Sequence, residues 1–448
     1  MEQGGNARTR DRWRVPCLSP ITTRHRRGWL QRPAADPPPM ARTVAQGPIM
    51  AHNGGGCDDD GPPIHPALDQ KETTRTMSWI VTTDHLERLA LGAGILGTGG
   101  GGNPYLGKLI ARQFVNAGAR IEVVSLDEVP DDAFVVSVGG MGSPTVAVER
   151  LRRADESLKA MRALETHLGR QFTHIVPSEI GGSNSTIPMI VAAQAGLPVI
   201  DGDGQGRAFP ELQMETYIIY GIPPTPGALC DHFGQSVVFD HVPDGKTFER
   251  YMRAVTIQMG GAAGYAYPAM SGEQVKRMAI PGTLSLAVAL GDAVLTARAQ
   301  HTSPVQAALD VTGGCQLFTG KIVDVQRRMV AGFARGLVKF DGFGAHDGET
   351  LAIDFQNENL IARTGGGEIL AVVPDLICLI DTDTGEPLTT ELIRYGMRAT
   401  VIGIPAPPEL RTPHALETIG PAAFGYPDVN YRPLPGAYAN VTREARVS

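Results

Sequence analysis

The sequence predicts an α/β protein, with an N-terminal α/β domain on a mostly parallel sheet and a C-terminal β-rich domain. Three observations carry this. Short apolar runs alternate with helical spacing up to residue 245, Gly-rich polar turns close those runs, and closely spaced β-like runs dominate from Cys315 onward. With 448 residues, 42% hydrophobic and 19% charged, the chain has the length for two domains and the apolar mass for a sizeable core.

Residues 1–76 stand apart. They are rich in Arg, Pro, Gly and Asp and lack sustained apolar periodicity, so they read as a disordered tail or an over-extended start. From Met77 the pattern is that of folded protein. Asp84 and Glu87 have capping-box spacing at the head of a helix continued by Leu86, Leu89, Ala90 and Ile95. IEVVSL, AFVVSVGG, HIVP and LPVI read as short buried strands. A helix is expected from Thr145 to His167, and another from Asn184 or Ser185 toward Ala195. These give an α/β domain over 77–245. Helices at Thr247–Gln258 and Thr283–Ala299, then QLFTGKIVDVQ, RGLVKF, TLAIDF, NLIART, LICLID and ATVIGI, give a second domain over 246–435 and a tail over 436–448. The Pro-rich stretch from Pro405 keeps enough apolar residues to pack back on the body.

Composition narrows the function. The net charge of -7 and the absence of a basic stripe argue against nucleic acid, and no run of about 18 apolar residues points to a membrane. Five scattered cysteines without a CxxC pair argue against a disulfide framework and suit a reducing cytoplasm. Small-molecule chemistry is the better fit.

Three segments could carry it. In GILGTGGGGNPYLGK, Gly99, Gly100, Gly101 and Gly102 free backbone amides for an anion or polar ligand edge, with Asn103 beside them; a tight backbone crossing is the alternative. The order is helix, loop, then Pro-Tyr rather than strand, loop, helix, and no Ser or Thr follows the GK, so the segment fits neither a dinucleotide fingerprint nor a P-loop. In PSEIGGSNS, Glu179 follows a strand and Asn184 opens a helix, at the strand end where open α/β sheets bind ligands; Glu179 suits a general base or a metal ligand, and the alternative is that either residue caps a helix and satisfies loop amides. DGDGQGRAFPE gathers Asp201, Asp203, Arg207 and Glu211. The acids suit a hard divalent cation and the guanidinium suits a carboxylate or imide oxygen; an Arg–Asp structural network is the alternative. Weaker signals are Cys230 with His232, which could serve zinc or nucleophilic chemistry, Cys315 with Lys321 and the amide–acid cluster Gln356–Asn359, either of which could complete a site between domains, and His174; each is read first as packing or turn chemistry.

GILGTGGGGNPYLGK, PSEIGGSNS, LPVIDGDGQGRAFPELQM, IPGTLSLA, FTGKIVDV, FQNENLIA, PDLI…DTDTGEPL and GPAAFGY occur in one order. Together they resemble the S-methyl-thiohydantoin desulfurase family, from Met77 to Pro433. His232 and the 76-residue extension depart from the family pattern. The resemblance implies loss of methanethiol from an S-methyl-thiohydantoin to give a hydantoin, and association with hydantoinase/oxoprolinase proteins. It assigns no catalytic residue.

The expectation is therefore a hydrolase of a five-membered cyclic ureide or its thio-analogue. Glu179 or Asp203 would be the general base. Arg207 and the amides of Gly99–Gly102 would stabilise developing charge, with Asn103 and Asn184 contacting substrate. A divalent metal such as zinc would sit on Asp201, Asp203 and Glu211. The expected partners are the small substrate, a hydantoinase/oxoprolinase subunit and a second copy of the chain. The competing readings are an accessory subunit of a hydantoinase/oxoprolinase complex and a nucleotide-binding regulator, the latter resting only on the glycine loop.

Overall fold

The computed structural model describes residues 78–142, 146, 149 and 153–439, all within the compact unit Pro62–Ser448. The reading of residues 1–76 and the expected helix start near Thr145 lie outside the described residues.

The first sheet contains β1 (Trp79–Ile80), β2 (Glu122–Ser125), β3 (Phe134–Gly142), β4 (His174–Pro177), β5 (Val199–Asp203), β6 (Gly227–Cys230), β7 (Ser236–Phe239), β8 (Ala262–Ser271) and β9 (Ile280–Pro281). The order is β1-β2-β5-β4-β3-β8-β6-β7, with β9 pairing to β5. Only β2, β5, β4 and β3 are parallel neighbours; antiparallel strands flank them. The parallel block reads as apolar runs because it is covered on both faces. Its cover comes from α1 (Thr83–Leu96), α2 (Pro104–Asn116), α3 (Glu156–Leu168), α4 (Ile187–Ala195), α5 (Gly245–Gln258) and α6 (Thr283–Ala299) with neighbouring loops. The cap of α1 is Thr82, and His85 rather than Glu87 completes its capping box. Although β8 follows the 245 boundary in sequence, it lies in the first sheet between β3 and β6.

The second sheet is antiparallel. It comprises β10 (Cys315–Val330), β11 (Phe333–Gly342), β12 (Thr350–Gln356), β13 (Glu358–Thr364), β14 (Ile369–Val372), β15 (Leu376–Asp381) and β16 (Arg398–Ile404), ordered β14-β13-β12-β11-β10-β16-β15. Gln356 pairs with Glu358, so the chain reverses at Asn357, whose φ of 57° is left-handed. Asn and Asp tolerate this conformation better than most residues. The final segment packs back as expected: Tyr431 and the Leu434 amide bond Asp375, and Tyr438 bonds the Gly206 carbonyl. No helix among the described residues is long and apolar enough to cross a membrane.

The carboxyl ends of β3, β4 and β5 open toward the glycine-rich loop that joins α1 to α2. This loop crosses Gly181–Gly182 backbone on backbone. A Cβ on Gly101 would lie 2.3 Å from the Gly181 carbonyl oxygen, and one on Gly182 would lie 2.1 Å from the Gly102 carbonyl oxygen. Neither contact can yield by a side-chain rotation, and both glycines have positive φ. Gly182→Ala should therefore cost at least about 2 kcal/mol of stability. Gly118→Ala, with positive φ but nothing within 4 Å of the new Cβ, should cost only about 1 kcal/mol. Urea denaturation of the two variants checks this, and equal stabilities would mean the crossing is not tight.

Candidate active site

A cavity of about 140 Å³ lies at the carboxyl ends of the parallel strands. Its volume matches the ~150 Å³ known to accept a benzene-sized guest, so it has room for one small ring. Ile187, Ile190, Val191, Phe209 and Leu212 supply apolar wall. The β12–β13 turn adds Asn357 and Glu358 to the lining that Gly101 and Gly102 share, with the Glu358 carboxylate packed against Gly100.

Two carboxyl groups dominate the chemistry. Glu179, just past β4, is 5% exposed. Its carboxylate accepts from Asn184 Nδ2 at 2.5 Å and from the Phe209 amide at 3.2 Å. Asn184 is itself fixed, since its Oδ1 accepts the Gly140 amide at 2.8 Å. Burial, then the charge of Glu358, push the Glu179 pKa well above the usual carboxylate range. Glu358 is 2% exposed, and its Oε2 has no hydrogen-bond partner. Burial raises its pKa to about 8, against the opposing pull of Arg207 and the Gly101 amide. Two acids facing one dry space carry a single negative charge more readily than two. Both are thus pushed toward holding a proton, and Glu358 is placed to exchange one near pH 8.

The same wall holds Ser178 and Tyr265, whose hydroxyl oxygens are 2.5 Å apart. Tyr265 arrives on β8, opposite Gly139 of β3. Arg253 lines the cavity from α5, bonded through Nε to Glu249 and through Nη2 to the Pro210 carbonyl.

Several residues singled out from the sequence serve other ends. Asp203 does not line the cavity; its oxygens accept the amides of Ile180, Gln205 and Gly206, which makes it a clamp on two loops. Nor does Arg207 line it. All five of its N–H groups are used: Nε on Ala208 O, Nη1 on the Pro374 and Asp375 carbonyls, and Nη2 on Thr98 Oγ1 and Asn359 O. No donor remains for substrate charge. Asp201 is held by the amide and hydroxyl of Ser285, and Glu211 by Gln213. Asp201, Asp203 and Glu211 therefore do not form the expected ligand set, and no group of three or more His, Cys, Asp or Glu among the described residues is placed to hold a metal. Of the glycine run, Gly101 and Gly102 reach the cavity, while Gly99 and Gly100 abut Thr390 and Glu358, and Asn103 caps α2. Cys230 is core, and His232 lies past the end of β6 in the turn made by Asp231, so the two do not form a pair on one strand. His174, Cys315 and Lys321 do not line the cavity.

Glu358, Ser178, Tyr265 and Arg253 were not legible as site residues. Glu358 had a signal in the acid–amide cluster Gln356–Asn359, which could complete a site between domains but reads first as a turn. Tyr265 and Arg253 had none, because a strand and a helix beyond residue 245 give no hint of returning to the first sheet.

Comparison with known proteins follows this geometry. The description "S-Me-THD-like, N-terminal domain" matches residues 84–241, and "S-Me-THD-like, C-terminal domain" matches residues 243–434. The chain belongs to the S-Me-THD-like family. This is the S-methyl-thiohydantoin desulfurase family that the ordered motifs resemble. A protein from Chromobacterium violaceum, solved by X-ray crystallography as a structural-genomics target, is similar in structure: TM-score 0.65, 27% identity, covering 79% of this chain and 99% of that one. No curated protein matches the chain.

Two predictions follow from the buried charges. Arg207→Lys replaces five directed donors by three and leaves buried carbonyls without partners, at about 1–3 kcal/mol for each one orphaned; thermal melting should fall by many degrees. An unchanged melting temperature would show that the Arg207 hydrogen bonds do not hold these segments together. The second concerns pH. Burial lifts Glu215 from 4.5 to about 8 and Asp203 from 3.8 to about 7. The folded state keeps protons that the unfolded chain has released, so this contribution is complete below about pH 4 and is lost as pH rises through about 8. Urea denaturation from pH 5 to 9 should show Glu215→Gln with a shallower fall in stability than the parent. Parallel curves would refute the assignment.

Proposed function

We propose that the chain is a hydrolase that removes methanethiol from an S-methyl-thiohydantoin-type cyclic ureide. The observation that carries this reading is the pair Glu179 and Glu358, two buried carboxyls with raised pKa values on a cavity the size of one small ring. Family membership supports the substrate class.

The chemistry asks for a base, an acid and a dry site. Water must attack the ring carbon that bears the S-methyl group. Glu358 takes the proton from that water, since a carboxyl ionising near pH 8 supplies both a useful fraction of base and real basicity. Glu179, whose pKa is held well above the usual carboxylate range by burial and by the charge of Glu358, donates a proton to the ring atom on which negative charge builds. Asn184 and the Phe209 amide hold its orientation. As the tetrahedral adduct collapses, its hydroxyl proton passes to the Glu179 carboxylate, the C–S bond breaks and the electron pair leaves on sulfur, giving a hydantoin and, once the sulfur is protonated, methanethiol. The Gly101–Gly102 backbone permits the ring to lie close to the chain, because no side chain intervenes.

A hydantoin product would be the natural substrate of a ring-opening hydantoinase or oxoprolinase, which supports such a subunit as partner. An accessory subunit without chemistry would have no use for two uncompensated buried acids, whose burial costs stability.

Methanethiol release from S-methyl-thiohydantoins, followed with a thiol reagent, tests the reading. Glu358→Gln and Glu179→Gln should each lower kcat by about 10²–10⁴-fold. Their melting temperatures should stay near that of the parent, and the parent's rate should rise with pH toward about 8 as Glu358 ionises. An inactive parent, or full activity in both variants, would remove the proposal.

A further inference from the structure

Behind the cavity wall lies a hydrogen-bonded chain that the hydrolytic scheme above does not use. Tyr265 and Ser178 face the cavity, with their hydroxyl oxygens 2.5 Å apart. Ser178 Oγ is 2.8 Å from Glu215 Oε1, and the Tyr267 hydroxyl is 2.8 Å from the same oxygen and 2.9 Å from the Leu212 carbonyl. Glu215 is fully buried, and its Oε2 has no hydrogen-bond partner. A carboxyl in this position has no ion-pair partner to stabilise it, and no role in joining the two sheets.

We propose that Glu215, Ser178 and Tyr265 form a proton relay, in which the Tyr265 hydroxyl is the donor to the leaving group in the cavity. This rests on the hydrolase reading. The proton inventory supports it. With Glu215 protonated, three protons can point one way along the chain, Glu215 to Ser178, Ser178 to Tyr265 and Tyr265 into the cavity, while Tyr267 donates to Leu212 O. As the C–S bond breaks, its electron pair goes to sulfur. The Tyr265 proton then forms the S–H bond of methanethiol, the Ser178 proton moves to Tyr265, and the Glu215 proton moves to Ser178. Glu215 is left as a carboxylate, and the Tyr267 hydroxyl can swing from Leu212 O to Glu215 Oε1 to stabilise it. One proton of the water rests on Glu358 and the other, lost from the adduct's hydroxyl as the carbonyl forms, returns to Glu179, which had protonated the ring; one turnover therefore transfers one net proton from Glu215 to Glu358, and exchange with solvent after product release restores both.

A lone buried tyrosine would be a poor acid here, because burial and the charges of Glu215 and Glu179 hold its pKa well above the ordinary value. Backing by Ser178 and Glu215 removes that obstacle, since the proton finally lost is that of a carboxyl. The titratable neighbours that bear on Glu215 are Asp203, Tyr217, Tyr265 and Tyr267. Burial dominates its pKa, which is raised to about 8.

The test is steady-state kinetics of methanethiol release by Tyr265→Phe, Ser178→Ala and Glu215→Gln, with pH profiles and rates in H₂O/D₂O mixtures. Near-isosteric Tyr265→Phe and Glu215→Gln guard against misfolding, and melting temperatures identify any variant that fails to fold. Each variant should lose about 10²-fold or more in kcat, with KM within about threefold. The parent's rate should depend on deuterium fraction in a curved manner, as transfer of several protons requires, and Tyr265→Phe should straighten the plot. Glu215→Gln should remove the fall in rate above about pH 8 that ionisation of Glu215 imposes. A parent that releases methanethiol while Tyr265→Phe and Ser178→Ala keep its rate and its curvature overturns the relay alone. A parent that releases none overturns the hydrolase reading and the relay with it.

Discussion

Burial of one guanidinium governs the placement of everything else. Arg207 has no exposed surface and uses its five donors on Ala208, Pro374, Asp375, Thr98 and Asn359. Those acceptors belong to the loop after β5, the loop after β14, the glycine run and β13. A charge taken out of water must be paired or fully hydrogen-bonded, so the four segments are obliged to meet around it. Burial lowers its pKa to about 10, which still leaves it cationic at neutral pH. The nearby carboxyls, Glu358 first, draw the other way.

The glycine crossing is the geometric counterpart. Backbone approaches of the kind seen between Gly101 and Gly181 exist only where neither strand of chain carries a Cβ. The close approach lets the β12–β13 turn reach the ends of the parallel strands. Glu358 thereby enters a cavity otherwise built by the first sheet. A Cβ on Gly100 would stand 1.9 Å from its Oε1, which shows how completely the loop's bareness accommodates that carboxyl. The electrostatics of the cavity follow from this confinement. Glu179 and Glu358 are denied both water and a direct ion pair, and so they hold protons at a pH where free carboxylates would not.

Much of the site could be located from the sequence, but its residues were assigned roles partly in reverse. The strand ends at PSEIGGSN and DGDGQGR are where the cavity lies, because open α/β sheets collect ligands there. Glu179 and Asn184 kept their place. Asp203 and Arg207, the chemically most suggestive pair, are structural, since polar side chains beside glycines satisfy loop amides and carbonyls as readily as substrates. A linear sequence does not distinguish those uses.

The sequence by itself determined the class of fold, the order of its strands and helices, the strand ends that border the cavity and the family. Each of these is written in local periodicity, in glycine and acid positions, or in the order of motifs. Only the tertiary structure decided that β8 turns back into the first sheet, that Glu358 and Tyr265 meet Glu179, and which of several acids line the cavity. Those are contacts between residues far apart in the chain, fixed by burial and by hydrogen-bond satisfaction around Arg207, and no local pattern records them.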